Sequence, residues 1–116
     1  INNMHRPSGL AITPGDCPDC IIGELASYLE VNRDFPNLGP FVSVLDQQSR
    51  VLSRLDAGRG AGLDPGQFLS PHSIAYDRKG DLYVGDVVDA DWISVMRDAD
   101  KPDHPRRFQK LKRVLL

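Results

Sequence analysis

The sequence predicts an all-β fold built from two copies of one four-stranded antiparallel meander. Three observations predict it. Four short segments recur in the same order in the two halves of the chain. Each is a β-type run bounded by turn residues. Ten Gly and nine Pro in 116 residues suit many short strands joined by turns.

The repeat is legible by self-comparison. Pro7-Ser8-Gly9-Leu10-Ala11-Ile12 lines up with Pro71-His72-Ser73-Ile74-Ala75-Tyr76, and Cys20-Ile21-Ile22-Gly23-Glu24 with Leu82-Tyr83-Val84-Gly85-Asp86. Val42-Ser43-Val44 then matches Ile93-Ser94-Val95, and Arg50-Val51-Leu52 matches Arg113-Val114-Leu115. This alignment gives the first copy extra residues at 27–40, where Asn32, Pro36, Asn37, Gly39 and Pro40 read as a long surface loop.

In chain order, residues 7–12 and 20–24 form the first two strands of copy one. The run Phe41-Val42-Ser43-Val44-Leu45 is apolar along most of its length, as a strand covered on both faces would be. Asp46-Gln47-Gln48-Ser49 turns it into 51–55. In copy two, Asp77-Arg78-Lys79-Gly80-Asp81 joins 73–76 to 82–85 as a hairpin. Residues 93–95 are the expected third strand. The polar run from Phe108 to Val114 is the expected fourth, an outer edge. The chain thus divides into one unit at about 5–56, a Gly-rich joint at about 57–66 and a second unit at about 67–116, all within a single partial domain.

Composition narrows the class. Apolar residues make up 41% and charged residues 26%, and sixteen acids against fourteen bases give a net charge of −2. That argues against a nucleic-acid binder working through a global positive field. No apolar run approaches the ~20 residues needed to span a bilayer, and the N-terminus lacks a signal-peptide pattern, so the compartment is left open. The first Met stands at position 4 behind Ile-Asn-Asn, which leads us to expect a chain cut from a longer one.

Four-stranded sheets repeating at about 40 to 60 residues are the unit of a β-propeller. Asp64-Pro65-Gly66-Gln67-Phe68-Leu69-Ser70-Pro71-His72-Ser73-Ile74-Ala75-Tyr76-Asp77, followed by Gly80-Asp81-Leu82-Tyr83-Val84-Gly85-Asp86, resembles the NHL repeat. Copy one is a degenerate version, with Glu24 where that repeat ends its strand in Asp. Within the NHL group, Ser70-Pro71-His72-Ser73-Ile74-Ala75 is most similar to the peptidyl-hydroxyglycine amidating lyases and their bacterial relatives. The resemblance implies a six-bladed propeller, of which this chain supplies two blades. The other four come from the rest of a longer chain, with these residues as its C-terminal third, or from further subunits. In the second case three chains close a C3 homotrimer. The start at Ile1 and the degenerate first copy favour the longer chain.

The resemblance also implies a site. In the amidating lyases a His at the position of His72, one from each of three blades, holds zinc. Three imidazoles leave a fourth position open for a water or substrate, which the ion would activate. His72 is therefore the candidate ligand for zinc or another divalent metal. Ser8, its counterpart in copy one, is a poor ligand, so other blades or subunits must supply the partner histidines. His5 and His104 read as loop residues, and Cys17-Pro18-Asp19-Cys20 as a turn pair with no second pair to complete a zinc site. Asp86, Asp89 and Asp91 could hold calcium, but Asp86 is better suited to capping backbone amides at its strand end. Arg106, Arg107, Lys110, Lys112 and Arg113 around Phe108 form a basic stretch that an edge strand carries to prevent pairing, which disfavours nucleic acid as a partner. Trp92 is expected to pack between blades.

Two functions follow as expectations. One is lyase-like or hydrolase-like chemistry at the channel mouth with a divalent metal on His72, acting on a peptide or small molecule. The other is a non-catalytic module that binds a protein, peptide or glycan.

Overall fold

Local turn chemistry sets the hairpins. In a computed structural model describing residues 3–27, 29–32, 35 and 38–114, Asp77 Oδ1 accepts the N–H groups of Lys79 and Asp81 at 2.9 and 3.0 Å. Tyr83 Oη donates to Asp77 Oδ2 at 2.9 Å. Asp46 Oδ1 does the same for Gln48 and Arg50, both at 2.9 Å. Short side chains that bond the backbone two and four residues on stabilise a tight reversal, so each hairpin is encoded where it occurs.

The fold is all-β. Among the described residues seven strands form two antiparallel sheets. The first sheet joins β1 (Pro7–Ile12), β2 (Cys20–Glu24), β3 (Phe41–Leu45) and β4 (Val51–Leu55) in sequential order, as the sequence predicts. The second joins β5 (Pro71–Tyr76), β6 (Leu82–Asp86) and β7 (Phe108–Leu111). A single short helix, α1 (Trp92–Met96), and a 3-10 turn at Glu30–Asn32 are the helical elements described.

Copy two departs from expectation here. Ile93-Ser94-Val95 is helix and not strand, so the second sheet has three strands among the described residues. The physical reason is packing. Trp92 is buried in a cluster with Leu69 and Val88, against which Leu63, Val95 and Met96 lie. Trp92 Nε1 donates to the Ala99 carbonyl at 2.8 Å. One-sided burial is satisfied by a helical turn, and tertiary contacts override the β preference of Ile and Val. Trp92 therefore packs in a cluster separate from the core that the two sheets share.

The place expected for 93–95 is taken by β7. Val84 pairs with Gln109 as Ile22 pairs with Ser43, and Gly85 with Phe108 as Gly23 with Val42. So β7 is the counterpart of β3, and the sequence match of Arg113-Val114 to Arg50-Val51 is not structural. Residues 112–114 carry no strand, and 115–116 lie outside the described residues. The longer connection between second and third strands consequently belongs to copy two, at 87–107, rather than to copy one. Residues 28, 33, 34, 36 and 37 of the expected surface loop also fall outside the described residues.

For the first two strands the repeat holds down to its irregularity. Pro7 pairs with Glu24 and Pro71 with Asp86, Leu10 with Ile22 and Ile74 with Val84, and each pair of strands shifts register after its proline. The sheets stack face to face. Ile21, Val42, Phe68, Leu82 and Val84 form the core between them, with Ala11, Val44, Leu55, Ile74, Tyr76 and Leu111 packed around it. Phe68, from the Gly-Gln-Phe stretch, is fully buried there.

Two glycines let the first strands meet. A Cβ at Gly23 would lie 2.1 Å from the Pro71 carbonyl oxygen, and one at Gly9 would lie 2.3 Å from that of His72. Neither position tolerates a side chain without the sheets moving apart. Gly23→Ala is therefore expected to destabilise the fold by about 1–3 kcal/mol, as overpacking does. Urea denaturation followed by far-UV circular dichroism measures it.

Candidate functional site

The stacking puts β1 and β5 side by side, so their N-terminal ends share one rim of the molecule. Ser8 and His72 meet across this junction, with Ser8 Oγ 3.5 Å from the His72 carbonyl oxygen. His72 is exposed. The sequence alignment of Ser8 with His72 is thus a spatial relation as well.

An acid at the end of the second strand fixes each approach to the rim. Asp86 Oδ1 accepts the N–H groups of Leu69 and Ser70 at 3.1 and 2.8 Å, as the sequence suggests. Glu24 Oε1 accepts the N–H of His5 at 2.7 Å, the counterpart task in copy one. Glu24 Oε2 also accepts the Ser43 hydroxyl. Both acids are buried, and an arginine stands 3.8 Å from each: Arg54 by Glu24 and Arg106 by Asp86. Each pair is close enough for Coulomb attraction but too long for a hydrogen bond. Asp86 Oδ2 and Arg106 Nη1 are both buried without a hydrogen-bond partner among the described residues. Burial pushes the Asp86 carboxyl above its usual range, against the opposing pull of the two amides and of Arg106.

The other acids of this cluster are engaged by neighbouring side chains. Asp89 is half-exposed and bound by Arg107 and Lys101, which hold its carboxyl well below the usual range. Asp91 Oδ2 accepts the Ser70 hydroxyl at 2.5 Å. Among the described residues no group of three or more His, Cys, Asp or Glu could hold a metal ion. His72 stands as a single imidazole. His104 is exposed in its loop, and His5 keeps a buried Nε2 without a hydrogen-bond partner among the described residues. Cys17 and Cys20 are free, the first exposed and the second at the start of β2.

The basic stretch is largely used inside the molecule. Arg106 donates to the carbonyls of Leu63, Asp64 and Gln67, each at 3.2 Å. Arg107 pairs with Asp89, and Lys110 with Asp81 at 2.9 Å. Sequence reasoning missed the part of Gln67. Its Oε1 accepts the Asp64 N–H at 3.1 Å and its Nε2 faces the carbonyls of Gly60 and Arg59 at 3.3 and 3.5 Å, which gathers the joint at 57–66 into a folded turn. The Gly66-Gln67-Phe68 stretch was the available signal.

A cavity of about 410 Å³ opens at the same end of the sheets, lined by Phe35, Phe41, Asp56, Gly58, Val95 and Arg97 among others. His72 is not part of its lining. Arg97 holds a left-handed backbone, φ 58°, where α1 ends. No sequence signal marks this cavity, because its wall joins three connections distant in the chain. No helix of the described residues is long and apolar enough to cross a membrane.

Compared with protein-family models, curated proteins and solved structures, the chain matches none.

Asp86→Ala is expected to cost about 1–3 kcal/mol, because two buried amides lose their acceptor. Asp86→Asn keeps an acceptor and removes a buried charge, so at neutral pH it should cost less. With a folded pKa above the unfolded one, wild type binds this proton more tightly when folded. Its Asp86 contribution therefore grows as pH falls through the folded pKa towards the unfolded value of about 3.8. The stability difference between wild type and Asp86→Asn should shift in favour of wild type on acidification, read from urea denaturation at a series of pH values.

Proposed function

We propose that the chain is a two-blade segment of an NHL-type, six-bladed β-propeller whose working face is the rim where the first strands of the blades begin. The observation that carries this reading is the repeat-related stacking of the sheets, with β1 and β5 adjacent and Ser8 and His72 at matching positions on the rim. His72 is the metal ligand this chain contributes, for zinc or another divalent ion, in lyase-like or hydrolase-like chemistry on a peptide or small molecule. One imidazole does not hold an ion, and Ser8 does not add a usable second ligand. The remaining ligands belong to other blades, from a longer chain or from further subunits of a homotrimer.

Metal content is the test. Protein equilibrated with zinc and then dialysed should retain the ion in its assembled form and lose it in His72→Ala, while His104→Ala retains it. Equal zinc in wild type and His72→Ala would reject His72 as a ligand.

A second reading is favoured by the cavity of about 410 Å³. It falls in the size range of ligand pockets, and Asp56 and Arg97 place both charge signs on its wall. In this reading the propeller segment is a non-catalytic module that takes a peptide, protein or glycan there.

A further inference from the structure

The two sheets meet through one interface; the second sheet leaves open the face that the first uses, and the first leaves open the β1 part of the face that the second uses. The first sheet presents Gly9, Ala11, Ile21, Gly23 and Val42 to the second. By strand register, the counterparts of these residues in the second sheet are Ser73, Ala75, Tyr83, Gly85 and Phe108. These five lie on the outward face of the second sheet and, with Ile74, line a shallow apolar hollow of about 130 Å³. Ser73, Ala75 and Phe108 are exposed, Phe108 at 59%.

The complementary face is open along β1, while Ile22 and Leu45, the counterparts of Val84 and Leu111 farther across it, are buried. The second sheet covers the first with Ile74 and Tyr76 of β5, whose counterparts in β1 are Leu10 and Ile12. Leu10 is 57% and Ile12 55% exposed. Isolated exposed aliphatics need no explanation, but two on the face equivalent to a buried one do.

Gly85 is a second, independent sign. Its backbone lies outside the left-handed region, and a Cβ there would meet nothing closer than Ser73 Cβ at 3.4 Å. Among the described residues nothing gives Gly85 a steric reason to be glycine. Its counterpart Gly23 is required because the Pro71 carbonyl of the next sheet descends on it. The equivalent of Pro71 on an incoming sheet is Pro7.

We propose that a second copy of this chain docks here. Its β1 face, with Leu10 and Ile12, covers the Ala75–Gly85–Phe108 hollow, and its Pro7 carbonyl sits over Gly85. The contact continues the internal interface head to tail, so it is heterologous and propagates until a ring closes. Ser73 stands where the first sheet has Gly9, so the junction is looser at that point. The inference rests on the propeller reading and takes its homotrimer form over the longer-chain form that the sequence favours, and it does not depend on His72 or on a metal.

The test uses the full chain and three variants at positions where the fold has room. Wild type is expected to associate with rising concentration in sedimentation equilibrium. Leu10→Glu spoils one face, Ala75→Glu the other, and Gly85→Ala closes the seat of the Pro7 carbonyl. Each should weaken association by about tenfold or more. Circular dichroism should show all three folded as wild type. Mixing the two Glu variants is decisive. Each retains the face the other lacks, so the mixture should form a heterodimer and nothing larger. A wild type that stays monomeric, variants that associate as wild type does, or a mixture without heterodimer would each overturn the proposal. Zinc retention through His72 is read separately, so loss of one result does not decide the other.

Discussion

The contact on which the rest of the structure depends is the close approach of the β5 backbone to Gly9 and Gly23. Two carbonyls, those of Pro71 and His72, come nearer to the first sheet than any side chain would permit. That approach lets Ile74 and Tyr76 reach the layer formed by Ile21, Val42 and Val44, and Phe68 closes the same core. Neither sheet alone would bury both of its apolar faces, and a small β-sheet with one uncovered face is marginal in water. Stacking supplies the burial, and the absence of two Cβ atoms supplies the stacking distance.

Polar groups then place the chain on this frame. Glu24 and Asp86 end the second strand of each sheet and accept backbone amides of the segment leading into the first strand. Their burial is stabilised by those donors, with Arg54 and Arg106 nearby. The same arrangement in both copies means that the rim carrying Ser8 and His72 is positioned twice by one device. It also explains how Glu can stand in copy one where copy two has Asp: the task needs a carboxylate oxygen, and the longer side chain still reaches the amide of His5. Gln67 and Arg106 add a further layer, tying the joint between the copies to the second sheet through carbonyls.

The hairpins were legible because their determinants are local. Asp46 and Asp77 bond amides two to four residues away, and such geometry follows from the residue and its spacing. The first two strands of each copy were legible because repeat, alternation and turn signals agreed. Residues 93–95 read as a strand because Ile-Ser-Val has the same local preference as Val42-Ser43-Val44. What separates them is distant: Leu69 and Val88 offer Trp92 a place to bury, and Phe108–Leu111 already occupies the edge of β6. The cavity near Asp56 and Arg97 was invisible for a similar reason, since its lining comes from connections that share no pattern.

By itself, then, the sequence determined the all-β class, the two-copy organisation, the Asp-based turns and the capping part of Asp86. Each of these rests on interactions within a few residues or on a pattern repeated along the chain. Only the tertiary structure decided that 92–96 is helix, that β7 is a third strand, that Gly9 and Gly23 serve a sheet-to-sheet approach, and that Ala75 and Gly85 lie on an open face. Those depend on which surfaces meet. A given apolar or glycine residue reads the same in sequence whether its partner is another part of the chain or solvent.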